Sequence, residues 1–285
     1  MKLKEFFYLL GLKPRALRYG SVVRTVVLPE DGEVQFAHWL HPRSYSAAPN
    51  PQYLANLRRY LRPGDVAIDI GANVGDSTLP LALAVGSSGA VLALEPNPFV
   101  FPTLELLASL NPDRTSIIPL PIAATRDDGP TVMHFSERGY CNGAINEGVS
   151  RWVHGGAYQL SVEGRRFPAL LEREYPDLLP RLRFIKVDAE GHDLAILESM
   201  EDLLRKLRPV LQVEFFNERK AQPGYRRRLL EFLRGLGYSV RRVQENSAQF
   251  LADPIDLEIL HEHKMFDAFC QPERVDTDPL SPAAS

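Results

Sequence analysis

Cysteine is scarce in this chain of 285 residues, with only Cys141 and Cys270 present. The two cysteines lie far apart and match no zinc-binding spacing. They are also too few to form the disulfide framework that stabilises many secreted proteins. The cysteine content therefore predicts a protein of the reducing, cytoplasmic compartment without a structural zinc site.

Long apolar runs are absent as well. No stretch reaches the roughly 18 consecutive apolar residues of a membrane-spanning helix, so we predict no transmembrane segment. The N-terminal sequence MKLKEFFYLLGLKPR has two lysines and a short apolar run, but the run contains Gly11 and no small-residue cleavage site follows it. A short amphipathic helix, packed on the domain or on a membrane surface, is therefore favoured over a signal peptide.

Neither sign of charge is in large excess. The chain has 33 Lys and Arg residues against 36 Asp and Glu residues, which gives a net charge of −3. The one conspicuous basic run is Arg226-Arg227-Arg228. Since proteins that bind nucleic acids usually carry a basic patch, we predict no nucleic-acid partner, although composition leaves a local patch open. Composition also leaves the oligomeric state open.

From Asp65 onward, short apolar segments alternate with segments of helical periodicity, which is typical of βαβ units and a parallel sheet. The predicted strands are VAIDI, AVLALEP, TSIIPLPIAA, LRFIKVDAEG and RPVLQVEFFN. The predicted helices include NPFVFPTLELLASLN, with Asn97 as its N-cap, and HDLAILESMEDLLRKL. YSVRRVQ and AQFLADP are predicted to form a terminal antiparallel pair. The sequence thus predicts an α/β fold.

Three regions flank or interrupt this pattern. Residues 1–60 are predicted to form an N-terminal extension of a short helix, a hairpin around PEDGE and a second helix. Residues 61–255 form the predicted main domain. Within it, residues 127–166 are rich in glycine and aromatic residues and lack a clear period, which fits either a substrate-binding insertion or a flexible surface loop. Residues 256–285 form the predicted C-terminal tail, and its last segment, QPERVDTDPLSPAAS, has the composition of a disordered end.

The segment VAIDIGANVGDST places Gly71 and Gly75 directly after a predicted buried strand. In open parallel sheets, ligands bind beyond the carboxyl ends of the strands, where the first strand-to-helix turn usually lies. The dinucleotide fingerprint would require further glycines where the chain has Asn73 and Asp76, and the G-K-[ST] ending of a P-loop is absent. The turn therefore predicts a nucleoside-like ligand without a polyphosphate.

Glu95 ends the second predicted strand, where a carboxylate can accept hydrogen bonds from ribose hydroxyls. A ribose-binding acid beside a glycine turn without phosphate recognition suits S-adenosylmethionine. Asp69, just before the turn, is predicted either to face the methionine ammonium of this cofactor or to orient the loop.

Four segments, GDVAIDIGANVGDST, VLALEPNPFVFPTLELLASLN, FIKVDAEGHDLAILESM and RPVLQVEFFN, resemble the FkbM family of S-adenosylmethionine-dependent methyltransferases. The resemblance covers roughly residues 50–245, and the D-x-E-G block is its most specific part. It implies a class I methyltransferase, Rossmann-like fold with a seven-stranded, mostly parallel sheet whose last strand is antiparallel. It also implies O-methylation of a hydroxyl on a glycan sugar or a secondary metabolite.

On the cofactor side, the resemblance implies binding by Gly71, Asn73, Gly75 and Glu95, with Asn97 close by. The chain departs from the family pattern in two places. Pro121 and Ile122 stand where the family often has an Asn-Ala pair near the adenine, so a side-chain contact to the base is doubtful there. His192 follows Gly191, where a small or apolar residue is more usual.

The D-x-E-G block supplies the candidate catalytic residues Asp188, Glu190 and His192. An alcohol is a poor nucleophile, so methyl transfer needs a group that removes its proton. Because side chains alternate along a strand, Asp188 and Glu190 are expected to point the same way. His192 is a candidate base, since histidine accepts a proton near neutral pH. The alternative is that Glu190 or Asp193 caps the following helix while His192 is solvated.

A metal-assisted mechanism stays open but is not favoured. Asp188, Glu214 and Asn217 are predicted near neighbouring strand ends, where three oxygen ligands could hold Mg²⁺. The favoured interpretation has no metal site, with Glu214 hydrogen-bonded to backbone or substrate.

Two other classes of function compete with an O-methyltransferase. A binding or scaffold protein could keep the fold without the chemistry, although such a protein has no need of a ribose-binding acid. An oxidoreductase that uses a dinucleotide is disfavoured by Asn73 and Asp76.

Overall fold

The computed structural model describes residues 15–44, 48–135, 143–145, 158–216, 223–243, 251–255 and 265–273. The predicted N-terminal helix, the middle of the predicted insertion, Cys141, Asn217 and residues 274–285 lie outside the described residues.

Strands make up two larger sheets and one hairpin. They are β1 (Ser21–Leu28), β2 (Gly32–Trp39), β3 (Val66–Ile70), β4 (Ala90–Leu94), β5 (Ile117–Leu120), β6 (Ile122–Thr125), β7 (Gly129–Phe135), β8 (Gly143–Ile145), β9 (Tyr158–Arg166), β10 (Leu182–Val187), β11 (Val210–Phe215), β12 (Tyr238–Val243), β13 (Leu251–Pro254) and β14 (Phe266–Pro272). The α-helices are α1 (Pro51–Leu57), α2 (Thr78–Val85), α3 (Phe101–Ala108), α4 (Phe167–Glu174), α5 (Asp193–Ser199), α6 (Glu201–Leu207) and α7 (Tyr225–Gly235). A short 3₁₀ helix, Leu179–Arg181, precedes β10.

The central sheet has eight strands in the order β13-β12-β14-β11-β10-β3-β4-β5. Strands β5, β4, β3, β10 and β11 pair in parallel, whereas β14 is antiparallel to both β11 and β12. The predicted class I methyltransferase sheet, mostly parallel with an antiparallel last strand, is therefore confirmed. The edge strand β13 is an addition to it, and its antiparallel pairing with β12 confirms the predicted terminal pair.

The antiparallel last strand comes from a part of the chain that the sequence assigned to the C-terminal tail. Residues 266–272 form β14, and Ala268, Phe269 and Cys270 are completely buried between β11 and β12. That part of the predicted tail, 256–285, is wrong, because the short segment FDAFC gains its stability from two neighbouring strands rather than from its own periodicity.

Two helix predictions differ from the structure. Helix α3 begins at Phe101 rather than at Pro98, and Asn97 instead accepts a hydrogen bond from the backbone N–H of Phe99 in the preceding turn, at 3.0 Å. The segment predicted as one helix after Gly191 forms α5 and α6, which meet at Met200. Both helices bury their apolar side against the central sheet.

The segment predicted as one third strand divides between two sheets at Pro121. Strand β5 pairs with β4, whereas β6 pairs with β9 in a four-stranded sheet of order β6-β9-β7-β8. Proline has no N–H to continue a ladder, which is the physical reason for the break. Strand β7 lies between β9 and β8, and both β7 and β9 fall in the segment 127–166, in which the sequence shows no clear period.

The N-terminal hairpin and helix α1 confirm the predicted elements of that region, but they also contribute to the core. Leu28 and Val34 of the hairpin and Leu57 of α1 are buried in one cluster with Ala67 of β3 and Val91 of β4. With helices or strands on both faces, β3 and β4 are buried at every position. Within the described ranges, no helix is long and apolar enough to cross a membrane.

Candidate functional site

A cleft of about 220 Å³ opens at the carboxyl ends of β3, β4 and β10. This is the edge at which ligands bind in open α/β sheets. One wall is polar and the other is apolar. The lining residues are Ser44, Ile70, Gly71, Asn73, Val74, Asp76, Leu94, Glu95, Pro96, Asn97, Ile122, Ala123, Ala124, Met133, Ile145, Lys186, Asp188, Ala189, Glu190, His192 and Ile196.

The loop after β3 joins the ends of three strands. Gly71 has φ +83°, and a Cβ atom at this position would lie 1.9 Å from the carbonyl oxygen of Asp188. Its N–H donates to the carbonyl of Leu94 at 3.0 Å, and the N–H of Asp188 donates to the carbonyl of Ile70 at 3.0 Å. Glycine is therefore required here because the backbone after β10 approaches so closely, and backbone hydrogen bonds join this loop to the neighbouring strand ends at the base of the cleft.

Glu95 is fixed by its two carboxylate oxygens. Oε2 accepts a hydrogen bond from the N–H of Asn73 at 2.8 Å, and Oε1 accepts one from the N–H of Asn97 at 2.7 Å. The residue is 5% exposed, and burial raises the pKa of Glu95 to about 7 although both hydrogen bonds oppose the rise. A carboxylate offers about four lone-pair positions, so this one has acceptor capacity left for a ligand.

Asp69 and Gly75 are the two predicted cofactor residues that do not line the cleft. Asp69 is completely buried, and its Oδ2 accepts a hydrogen bond from Thr78 Oγ1 at 2.6 Å. Burial raises the pKa of Asp69 to about 6, with Lys186 opposing the rise. Of its two predicted roles, only orientation of the loop agrees with this position.

Gly75 faces helix α3 rather than the cleft. A Cβ atom there would lie 2.1 Å from Cδ2 of Leu107, and the φ of Gly75 is +89°. The glycine is needed for close packing of the loop on the helix, so its predicted contact with the cofactor is corrected. All the other predicted site residues, namely Gly71, Asn73, Glu95, Asn97, Asp188, Glu190 and His192, lie together on the cleft.

The loop after β10 carries the candidate catalytic residues. Asp188 Oδ2 lies 2.8 Å from Nζ of Lys186, and the side chain of Asp188 is 38% exposed. The strand ends at Val187 and Glu190 has φ +51°, so the predicted strand alternation of Asp188 and Glu190 is wrong, although both residues line the cleft. His192 is only 8% exposed, which contradicts the alternative that it is solvated.

Asp193 holds this loop from inside the protein. Its Oδ1 accepts a hydrogen bond from the N–H of Ala189 at 2.8 Å, and its Oδ2 accepts bonds from the N–H of Gly191 at 3.1 Å and the hydroxyl of Tyr225 at 2.9 Å. Burial raises the pKa of Asp193 to about 7, with the bond from Ala189 opposing the rise. The predicted alternative that Asp193 caps the following helix is wrong, because Asp193 is the first residue of α5 and accepts N–H groups of the preceding loop, and no side chain caps this helix at His192.

Two of the three predicted metal ligands, Asp188 and Glu214, lie among the described residues. Glu214 is buried near the carboxylates of Asp188 and Asp193, and burial first, then these charges, raise the pKa of Glu214 well above its usual value. Asn217 lies outside the described residues. Within the part of the chain that the structure describes, no group of three His, Cys, Asp or Glu side chains is arranged to hold a metal ion.

Sequence reasoning missed Lys186 and the apolar wall of the cleft. The signal for Lys186 was present, since residues two apart on a strand share a face and KVD places a cation beside Asp188. The apolar wall comprises Ile122 and Ala123 of β6, Met133 of β7 and Ile145 of β8. It had no local signal, because strands of a separate sheet bring it to the cleft.

The cleft fits a nucleoside cofactor in its donor and acceptor groups. Glu95 offers an anchored carboxylate to ribose hydroxyls, and the apolar wall offers a surface for a base. The wall at Ile122 and Ala123 has no polar side chain, which agrees with the sequence departure noted at this point.

Comparison with known proteins gives one family and several distant structural likenesses. The model of the family described as "Methyltransferase FkbM domain" matches residues 69–240. The comparison with curated proteins found no match.

Three solved structures illustrate the distant likenesses. An FkbM methyltransferase from Methylobacillus flagellatus KT is 13% identical, with a TM-score of 0.42; the alignment covers 76% of this chain but only 50% of that one, so this chain spans half of its length. An S-adenosylmethionine-dependent O-methyltransferase from Thermotoga maritima is 13% identical, with a TM-score of 0.40 and coverage of 89% and 79%. TYW2 of M. jannaschii, in complex with AdoMet, is 14% identical, with a TM-score of 0.40 and coverage of 92% and 90%.

Proposed function

This chain belongs to the FkbM methyltransferase family, and we propose that it transfers the methyl group of S-adenosylmethionine to a hydroxyl oxygen of a sugar or of a hydroxylated secondary metabolite. The observation that carries the proposal is that Glu95 and Asp188 line the same cleft, one as an anchored acceptor and the other as a partly exposed carboxylate.

The cofactor side of the proposal rests on the loop after β3. S-adenosylmethionine supplies an electrophilic methyl group when it is bound. Glu95 accepts hydrogen bonds from the ribose hydroxyls with the lone pairs that Asn73 and Asn97 leave unused. Asn97 and Gly71 line the same part of the cleft and bind the cofactor together with Glu95. Asp69 and Gly75 support the loop from behind.

The acceptor side rests on the loop after β10. Asp188 accepts the proton of the acceptor hydroxyl, while Glu190 and His192 bind and orient the acceptor within about 3 Å of the methyl group. His192 is the competing candidate for the base, since its imidazole lines the same cleft. We assign no metal ion to this mechanism.

The acceptor is proposed to enter beside the four-stranded sheet. Met133 and Ile145 of this sheet line the cleft, and residues 146–157 of the same region lie outside the described residues. The near-neutral charge of the chain supports a small molecule or glycan rather than a nucleic acid. Its two cysteines, of which Cys270 is a buried thiol, support a place in the reducing cytoplasm.

The proposal is tested by calorimetric binding of S-adenosylmethionine and by mass spectrometry of candidate glycans and metabolites. We expect binding, and a gain of one CH₂ in an acceptor that disappears after mild chemical blocking of its hydroxyls. Asp188→Asn should bind the cofactor as the wild type does but lower kcat by about 10²-fold or more. A chain that binds no S-adenosylmethionine would instead support the scaffold alternative, and methylation at nitrogen or carbon would contradict the O-methyl assignment.

A further inference from the structure

Lys186 is a charged residue that lines the cleft and has no part in the proposed proton transfer. It lies in β10, directly opposite Asp69 of β3 in the parallel register, and two residues before Asp188. The residue is 5% exposed and yet lines the cleft. An ammonium group held this far from water needs partners that compensate for its lost hydration.

Carboxylates from several strands provide that compensation. Burial alone would lower the pKa of Lys186, but the surrounding carboxylates outweigh burial and raise this pKa well above its usual value. These carboxylates belong to Asp188, Asp69, Asp267 and Asp76. Lys186 is therefore a permanent cation at working pH and cannot serve as the base.

The short contact of this cation is with one particular oxygen. Nζ of Lys186 lies 2.8 Å from Oδ2 of Asp188, and among the described residues the structure gives the Asp188 carboxylate no other hydrogen-bond partner. A charge-assisted bond of this length fixes the orientation of the carboxylate. Lys186 uses one lone pair of Oδ2, so Oδ1 is the oxygen that has no donor among the described residues and keeps its full acceptor capacity for a molecule in the cleft.

We propose that Lys186 is a positioning residue, which holds Oδ2 of Asp188 so that Oδ1 faces the point of methyl transfer. This inference rests on the proposed function. In the reaction the acceptor oxygen forms a bond to the methyl carbon, the methyl–sulfur bond breaks with its electron pair going to sulfur, and the hydroxyl proton goes to Oδ1. Lys186 keeps its own proton throughout.

Sinefungin tests the geometry without turnover, because it carries an amine where the cofactor carries the transferred methyl. We expect the wild type to prefer sinefungin over S-adenosylhomocysteine by about tenfold or more, since the amine meets Oδ1 of Asp188. Asp188→Asn and Lys186→Met should each remove most of this preference, and Lys186→Arg should restore part of it. Lys206→Met, the same change at an exposed lysine, should leave the preference unaltered.

The sign of the Lys186→Met effect separates positioning from charge alone. A lysine that acted only through its charge would leave a more negative cleft when removed, so the preference for the cationic sinefungin would rise. An unchanged or increased preference in Lys186→Met therefore overturns the inference, as does a wild type without any preference. In steady-state kinetics with an acceptor found by mass spectrometry, positioning predicts a lower kcat with KM for the cofactor within about threefold of the wild type.

Two further outcomes are decisive. If Lys186→Met alone does not fold, the double variant Lys186→Met/Asp188→Asn is compared with Asp188→Asn. An equal preference for sinefungin in the two variants supports the inference that Lys186 acts through Asp188. A further loss of about threefold or more in the double variant contradicts it. A wild type that binds neither S-adenosylmethionine nor S-adenosylhomocysteine overturns the proposed function itself, whereas binding that Lys186 does not influence overturns only the inference.

Discussion

The loops after β3 and after β10 are built on the same device. Each contains a non-glycine residue with positive φ, Asn73 at +48° in the first and Glu190 at +51° in the second. Such backbone is costly and persists only where its surroundings hold it. In the loop after β10, the buried carboxylate of Asp193 accepts two of the loop's own N–H groups. The buried carboxylate of Glu95 accepts one N–H from the loop after β3, that of Asn73, and one from Asn97 in the loop after β4.

The two carboxylates differ in what they do with their remaining acceptor capacity. Glu95 lines the cleft, so its unused lone pairs face a ligand. Asp193 is completely buried and receives a third hydrogen bond from the hydroxyl of Tyr225. Glu95 thus both stabilises the loop after β3 and binds the ligand, whereas Asp193 only stabilises the loop after β10. Substitutions at the two positions should accordingly affect different measured quantities.

The largest expected effect is the loss of stability on substitution of Asp193, whose carboxylate is buried away from the cleft. Asp193→Ala leaves one buried and two partly buried donors without their acceptor, and we expect the free energy of unfolding to fall by about 3–5 kcal/mol. Urea unfolding followed by circular dichroism measures the change. Asp113→Ala, the same change at an exposed aspartate, should lower the free energy of unfolding by less than about 0.5 kcal/mol. A loss at Asp193 no greater than this control would contradict the role of Asp193 in holding the loop.

The next largest effect is the loss of cofactor binding on substitution of Glu95, whose carboxylate lines the cleft. Glu95→Ala removes the acceptor of the ribose hydroxyls, so the affinity for S-adenosylmethionine should fall by about 1–3 kcal/mol, measured by calorimetry. Glu95→Ala removes the acceptor of two N–H groups, of which that of Asn73 is only partly buried, whereas Asp193→Ala removes the acceptor of three donors, so the loss of stability should be smaller than that of Asp193→Ala. If Glu95→Ala binds as tightly as the wild type, the cleft holds the ribose elsewhere.

The smallest expected effect is the pH dependence of cofactor binding, which comes from the ionisation of Glu95. The pKa of Glu95 is raised from 4.5 to about 7, so the stability contributed by its protonated form is fully present below about pH 4.5 and is lost as the pH rises through about 7. Binding changes in the opposite direction, because the ionised form accepts from the ribose. Calorimetry should show affinity rising about tenfold between about pH 6 and about pH 8, where it levels off.

Glu95→Gln provides the control for this dependence. Glutamine cannot ionise, so its affinity for the cofactor should be lower and nearly independent of pH over the same interval. A wild-type profile as flat as that of Glu95→Gln would show that Glu95 does not titrate in the binding step. Asp193 has a similarly raised pKa but does not line the cleft, so its titration should appear in the unfolding free energy rather than in the contact with the ribose.

Patterns within single segments predicted much of the site. The apolar strand before Gly71 and the acid that ends the next strand are local features, and the parallel alternation alone brings Glu95 and Asp188 to one edge. Roles that depend on contacts between distant segments were not predictable. Gly71 looked like a ligand-binding glycine, yet the nearest obstacle to a side chain there is the carbonyl oxygen of Asp188.

The sequence by itself determined the α/β class, the family and the edge of the sheet at which the site lies, because periodicity and short motifs are local properties of the chain. Only the tertiary structure decided that residues 266–272 complete the sheet, that Asp69 and Gly75 support the cleft instead of lining it, and that Lys186 holds Asp188. Those outcomes depend on which surfaces meet across the fold, and the free energy of such contacts is not encoded in any one segment.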